Sequence, residues 1–220
     1  MTTQFAFRGC LFDLDGTLLD SSLAVHRAWG ALLARNGLDP DTYFPRLHGR
    51  PAHESIREFL ASADEETIQQ EIHQLHEQEC TDTDGIVPID GAIAFLAELD
   101  SKKIPWAIVT SGTVAIASAR IKAAGIPSPS VLITADDISR GKPHPEPYLK
   151  GAKGIMVDPQ DCLVFEDAPA GLASGQAAGC HVIGIAATPS SSGQEAFPSI
   201  LSYSQLKIEA GEEGFLISLD

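Results

Sequence analysis

Two aspartates one residue apart, Asp13 and Asp15, close an apolar run in LFDLDGTLLD at 11–20. Unpaired charge at the end of a buried strand is costly to desolvate, so these carboxylates call for a compensating partner. Other reactive groups recur in comparable places. PWAIVT at 105–110 ends in Thr110 and continues into Ser111 and Gly112, Lys142 lies in Gly141-Lys142-Pro143, and DCLVF at 161–165 runs into Glu166 and Asp167. Carboxylates, small hydroxyls and one ammonium delivered together could hold a cation and a phosphate-like anion.

Each group alone has a plainer reading. DxDG also describes a turn or a fragment of a calcium loop, although the further ligands and terminal Glu of an EF-hand loop are absent. Thr-Ser-Gly after a strand also caps a helix, as Glu-Asp does, and a lone lysine is most often a surface residue. Their order, each beside a strand end, says more than any one of them.

The elements that must position these groups alternate. Strand-like runs at 9–13, 105–110, 131–134, 161–166 and 181–186, with a weaker one at 214–218, are separated by helical patterns at 92–103, 114–124, 146–154 and 170–178. Near-continuous apolar strands between helices predict an α/β fold: a Rossmann-like, doubly wound parallel sheet covered on both faces. In such a sheet the ligand site lies outside the carboxyl ends of the strands, where the reactive groups fall.

Residues 22–86 break the alternation. Between 23 and 36, Val25, Ala28, Trp29, Leu32 and Leu33 keep near one helical face and Gly37 follows as a stop; 53–60 and 65–79 read as further helices. This predicts a helical cap domain at 22–86 inserted into a core domain made of 1–21 and 87–220; the competing arrangement packs the extra helices onto a single core.

A formal net charge of −15 argues against nucleic-acid or membrane-surface partners, both negatively charged, while leaving open a small phosphorylated ligand drawn by a local field. No apolar run approaches the roughly 18 residues of a membrane span, and the N-terminal MTTQFAFRGC has too short an apolar part for a secretory signal. The cysteines, Cys10, Cys80, Cys162 and Cys180, show no metal-ligand spacing and read as reduced thiols of a cytoplasmic enzyme.

The four segments FDLDGTLLDS at 12–21, VTSG at 109–112, GKPHPEPY at 141–148 and VFEDAPAG at 164–171 resemble the haloacid-dehalogenase-type phosphohydrolases over essentially the whole chain. The likeness is greatest to the small-helical-cap branch that holds bacterial sugar phosphatases and the 2-deoxyglucose-6-phosphate and glycerol-phosphate phosphatases. The resemblance implies that Asp13 is the nucleophile that takes up the phosphoryl group, and that Mg²⁺ is held by the Asp13 and Asp167 carboxylates and the Asp15 carbonyl, with Glu166 assisting. It implies that the Asp15 side chain is the acid and base; Thr17 either orients Asp15 or serves as a structural cap. Thr110, Ser111 and Gly112 would cradle phosphate oxygens, the latter two through backbone N–H groups, and Lys142 would neutralise charge.

By the same resemblance the cap selects the leaving group through the loop Leu47-His48-Gly49-Arg50-Pro51, with Gly49 and Arg50 as substrate-binding residues. The expected substrate is a small sugar or polyol phosphate, and the expected assembly a monomer or weak homodimer. A phosphosugar mutase, or a non-catalytic phosphate-binding protein, are the competing functions. No lysine precedes Lys102, so the cap cannot supply the Schiff-base lysine of phosphonate-cleaving relatives. Relatives tend to have proline where Asp90 precedes Gly91, which reads as a helix-start substitution.

Overall fold

The computed structural model describes residues 3–44, 47, 52–188, 191, 193, 196–211 and 214–219. The chain opens with β1 (Gln4–Phe7), β2 (Gly9–Phe12) and β3 (Leu19–Asp20), then passes into α1 (Ser22–Arg35), α2 (Pro40–Tyr43), α3 (Ala52–Phe59) and α4 (Glu65–Thr81). It returns through β4 (Val87–Pro88) and α5 (Ala92–Ser101) to β5 (Trp106–Val109), α6 (Val114–Ala123), β6 (Leu132–Ile133) and α7 (Glu146–Gly154). β7 (Cys162–Glu166), α8 (Pro169–Ala177), β8 (His181–Ile185), β9 (Ser199–Ile200), β10 (Leu206–Gly211) and β11 (Gly214–Leu219) complete it.

The main sheet has the order β6-β5-β2-β7-β8-β9, and every neighbouring pair is parallel. The apolar runs have their expected cause. Cys10, Phe12, Leu163 and Phe165 face one apolar cluster, where Phe12 stacks on Phe165 with ring centroids 4.8 Å apart. Leu11, Val109 and Val164 face a second cluster with Tyr148 and Leu172. A strand buried on both faces has no polar side to alternate with.

Three features differ from the sequence reading. The weak run near 214–218 is β11, which does not join the parallel sheet: it pairs antiparallel with β1 and β10 in a separate three-stranded sheet. β3 and β4 form a two-residue antiparallel pairing, Leu19↔Pro88 and Asp20↔Val87, where the chain leaves and re-enters the α/β part. Asp90 is not the cap of α5. Gly91 holds that position at φ +76°, while Asp90 accepts a hydrogen bond from the Ser202 hydroxyl and its carbonyl accepts from the Tyr203 N–H at 3.0 Å.

Between β3 and β4, α1, α3 and α4 enclose their own apolar cluster, built on Trp29, Leu32, Leu33, Ile56, Phe59 and Leu75. Asp64 caps the start of α4, its carboxylate accepting the Thr67 N–H at 2.8 Å. Among the described residues no helix is long and apolar enough to cross a membrane.

Candidate active site

Three adjacent strands, β5, β2 and β7, carry the reactive residues to one edge. Backbone hydrogen bonds extend just past the strands: the Asp13 N–H donates to the Phe165 carbonyl at 3.0 Å and the Thr110 N–H to the Ile133 carbonyl at 2.9 Å. These residues are therefore set by the sheet rather than by mobile loops.

Lys142 arrives from the segment between β6 and α7 and makes three bonds. Its ammonium donates to Asp13 Oδ1 at 2.6 Å, to Glu166 Oε1 at 2.6 Å and to the Val109 carbonyl at 3.0 Å. Glu166 is saturated further: Oε1 accepts from the Tyr148 hydroxyl at 2.9 Å, and Oε2 from the N–H groups of Asp167 and Ala168 at 3.0 and 3.2 Å. Ligand atoms of Asp13, Glu166 and Asp167 all lie within 4.8 Å of one another, and all three residues are buried.

Two glycines make this density possible. A Cβ on Gly16, at φ +81°, would stand 2.1 Å from Asp167 Oδ2, and one on Gly171 would stand 1.6 Å from Glu166 Oε1. Gly16 in DGT and Gly171 in APAG thus let a turn and the start of α8 lie directly against the carboxylates.

The electrostatics show what is missing from the balance. Burial, countered by Lys142 and reinforced by Glu166, pushes the Asp13 carboxyl up to about 7. Burial, with Glu166 and Asp13 adding repulsion, raises Asp167 well above the carboxylate range. Burial works against the Lys142 charge, yet Asp13 and Glu166 outweigh it and hold the ammonium above its ordinary value. Three buried carboxylates facing one ammonium leave an excess of negative charge, and an all-oxygen donor set of this kind suits a hard divalent cation.

Asp15 stands apart. Its side chain is not in the carboxylate cluster; Oδ1 accepts from the Ser21 hydroxyl at 2.6 Å and forms an ion pair with Arg120 Nη1 at 2.8 Å. The expectation that Thr17 orients Asp15 is corrected: the Thr17 hydroxyl points to Asp167 Oδ1 at 3.4 Å, and Ser21 takes the orienting role. Arg120 Nη2 also reaches Glu79 Oε1 of α4 at 3.0 Å. Burial opposes the Arg120 charge, and Asp15 and Glu79 more than restore it.

The β5 turn departs from expectation in one respect. The Gly112 N–H is occupied by Thr110 Oγ1 at 3.1 Å, so it is not free to bind an anion. Among the described residues the Ser111 N–H and hydroxyl have no protein partner, and Ser111 is exposed at the same edge. Thr113 begins α6 and its hydroxyl meets His76 Nε2 of α4 at 2.9 Å. Gly49 and Arg50 lie outside the described residues.

Sequence reasoning missed Ser21, Arg120, Glu79 and Tyr148. Ser21 and Tyr148 sit at the ends of the segments already singled out. Arg120 had a signal of its own: a charged residue among Ile116, Ala117 and Ile121 on the buried face of α6 requires a carboxylate partner.

The family pattern for "haloacid dehalogenase-like hydrolase" matches residues 7–179. Hexitol phosphatase A of Escherichia coli (strain K12) is 51% identical over 178 residues, covering 81% of this chain and 82% of that protein. Glycerol-1-phosphate phosphohydrolase 1 of Saccharomyces cerevisiae is 37% identical over 190 residues, covering 81% and 74%. The crystal structure of β-phosphoglucomutase from Clostridium difficile superposes with a TM-score of 0.79 at 25% identity, covering 91% and 93%. The chain belongs to the haloacid dehalogenase-like hydrolases.

Proposed function

We propose that this chain is a Mg²⁺-dependent phosphatase that hydrolyses small sugar or polyol phosphates through an aspartyl-phosphate. The observation that carries the reading is the arrangement around Asp13: one carboxylate oxygen bound to Lys142 and two further carboxylates within ligand distance, at the edge of a parallel sheet. The names of the 51% and 37% identical relatives supply the substrate class, and their higher identity favours hydrolysis over the mutase chemistry named for the 25% identical neighbour.

The residues present fit a divalent cation. The Asp13 and Asp167 carboxylates and the Asp15 carbonyl would hold it, with Glu166 supporting the site through Lys142. When bound, such an ion offsets the repulsion between a carboxylate nucleophile and a phosphate dianion.

The protein groups divide the rest. An Asp13 oxygen attacks phosphorus and the bond to the alcohol oxygen breaks. Asp15, protonated, gives its proton to that oxygen, so a neutral alcohol leaves. Water then attacks the phosphorus of the acyl-phosphate, Asp15 accepts its proton, and the Asp13 carboxylate is regenerated with release of phosphate. The Ser111 N–H and hydroxyl, without a protein partner among the described residues, serve the phosphoryl oxygens, and Lys142 orients Asp13 and favours its ionised form. Thr110 contributes indirectly, by holding the Gly112 N–H.

Residues 22–86 act as a cap that excludes water and chooses the alcohol, with Arg50 and Gly49 at the contact loop. The separate apolar cluster of α1, α3 and α4 supports this reading, since it lets those helices keep their structure whatever their position over the sheet.

Phosphate release from hexitol, hexose and glycerol phosphates, with Mg²⁺ and then with EDTA, tests the proposal. Release of inorganic phosphate that stops on metal removal is expected. Activity that survives EDTA, or conversion of one sugar phosphate isomer to another without phosphate release, would overturn it.

A further inference from the structure

Arg120 joins three parts of the molecule. It projects from the buried face of α6, its Nη1 bonds Asp15 Oδ1 at 2.8 Å, and its Nη2 bonds Glu79 Oε1 on α4 at 3.0 Å. It is 6% exposed, and among the described residues its Nε has no hydrogen-bond partner. A buried guanidinium with an unmet donor is an expensive way to pack two helices, because a well-packed apolar residue of similar volume serves as well or better. Its placement is better explained by what Nη1 does to Asp15.

The Ser21 hydroxyl and Arg120 Nη1 both meet Oδ1, and among the described residues Oδ2 has no protein partner. Two donors on one oxygen fix the carboxyl plane and reserve the other oxygen for the proton. The second arm of Arg120 sets its own position from α4, so the orientation of Asp15 depends on where that helix lies. The neighbouring His76–Thr113 contact, also between α4 and α6, registers the same two helices at 2.9 Å.

We propose that Arg120 is a positioning residue for Asp15, and that Glu79 couples this positioning to the helical layer over the site. The inference rests on reading Asp15 as the proton donor and acceptor. It assigns a function to a cap residue, Glu79, that touches neither the phosphoryl group nor the nucleophile.

Leaving-group dependence separates positioning from packing. An alkoxide needs a proton to leave, whereas p-nitrophenolate does not, so a fault in Asp15 slows cleavage of an alkyl phosphate selectively. The measurement is single-turnover cleavage, with enzyme in excess, of a hexitol phosphate and of p-nitrophenyl phosphate. Arg120→Met is expected to slow the hexitol phosphate about thirty-fold while p-nitrophenolate release and both KM values stay within about threefold. Arg120→Lys, which keeps the charge but spans one carboxylate, should recover part of the loss. Glu79→Gln should show a smaller loss of the same selective kind, and that loss should vanish in the Arg120→Met background.

If Arg120→Met does not fold, the Arg120→Met/Glu79→Gln pair, which removes both buried charges, replaces it and is compared with Glu79→Gln alone. Asp15→Asn is the reference. Equal losses on both substrates in the Arg120 variants, beside a selective loss in Asp15→Asn, would reduce Arg120 to packing and overturn this inference alone. A non-selective Asp15→Asn would overturn the assignment of Asp15, and the inference with it.

Discussion

The sheet edge and the helical layer above it solve opposite problems. At the edge, Asp13, Glu166 and Asp167 are buried and the Lys142 side chain is 6% exposed, and Lys142 and Glu166 are held by at least three bonds each, from strands, α7 and the start of α8. In the layer, α1, α3 and α4 pack around an apolar cluster of their own, and side-chain contacts such as Arg120–Glu79 and His76–Thr113 tie α4 to α6. A preorganised polar site suits chemistry that does not vary, because its groups need no rearrangement when charge develops. A layer with an apolar cluster of its own can vary its surface without disturbing the buried carboxylates, while its position is felt at Asp15 through Arg120.

Breaking the sheet edge should have the largest effect. Asp13→Asn is expected to lower kcat by on the order of 10⁴-fold or more in a phosphate-release assay, with the thermal transition close to that of the parent protein. Lys142→Met should act on stability as well as rate. It leaves Asp13 and Glu166 buried without their cation, a loss of about 3–5 kcal/mol by denaturant titration.

The layer should respond differently. Leu75, 1% exposed in the cluster of α1, α3 and α4, should cost about 2–5 kcal/mol when cut to alanine. Hydrogen exchange should then rise in α1, α3 and α4 while β2, β5 and β7 stay protected. Equal loss of protection in the sheet would show that the two regions unfold as one and remove the contrast. Removing the α4 cap, Asp64→Ala, is the smallest test, at about 1 kcal/mol, with no change in p-nitrophenyl phosphate turnover.

How much of this was legible in the sequence follows the same division. The sheet edge was readable because parallel strands buried on both faces leave long apolar runs, and because the residues that end them sit at fixed places along the chain. The helical insertion was readable from the spacing of Val25, Ala28, Trp29, Leu32 and Leu33, four of which are buried. Contacts between the regions were not. Arg120 and Glu79 are 41 residues apart, and no local pattern links them or joins either to Asp15.

Smaller differences have equally physical causes. The Thr17 hydroxyl and the Ser21 hydroxyl both lie near Asp15 in the chain, and only the turn at Gly16 decides that Thr17 faces Asp167. The Gly112 N–H was available on paper until the Thr110 side chain folded back onto it. β1 and β10 escaped, and β11 was read as a strand but not as part of a second sheet, because β1 pairs with β11 across most of the chain and β10 presents alternating Leu206, Lys207, Ile208 and Glu209 rather than an apolar run.

The central claim is that Asp13 carries the phosphoryl group while Asp15, on its own side of the turn, moves the proton. Asp15→Asn should slow the second step and allow the first product to be caught. In that variant, mixed with Mg²⁺ and p-nitrophenyl phosphate, quenched in acid and digested, the peptide containing Asp13 is expected to gain the mass of one phosphoryl group. The added mass should be absent from Asp13→Asn treated in the same way. A phosphoryl group found on another residue, or none found while p-nitrophenolate is released, would contradict the account.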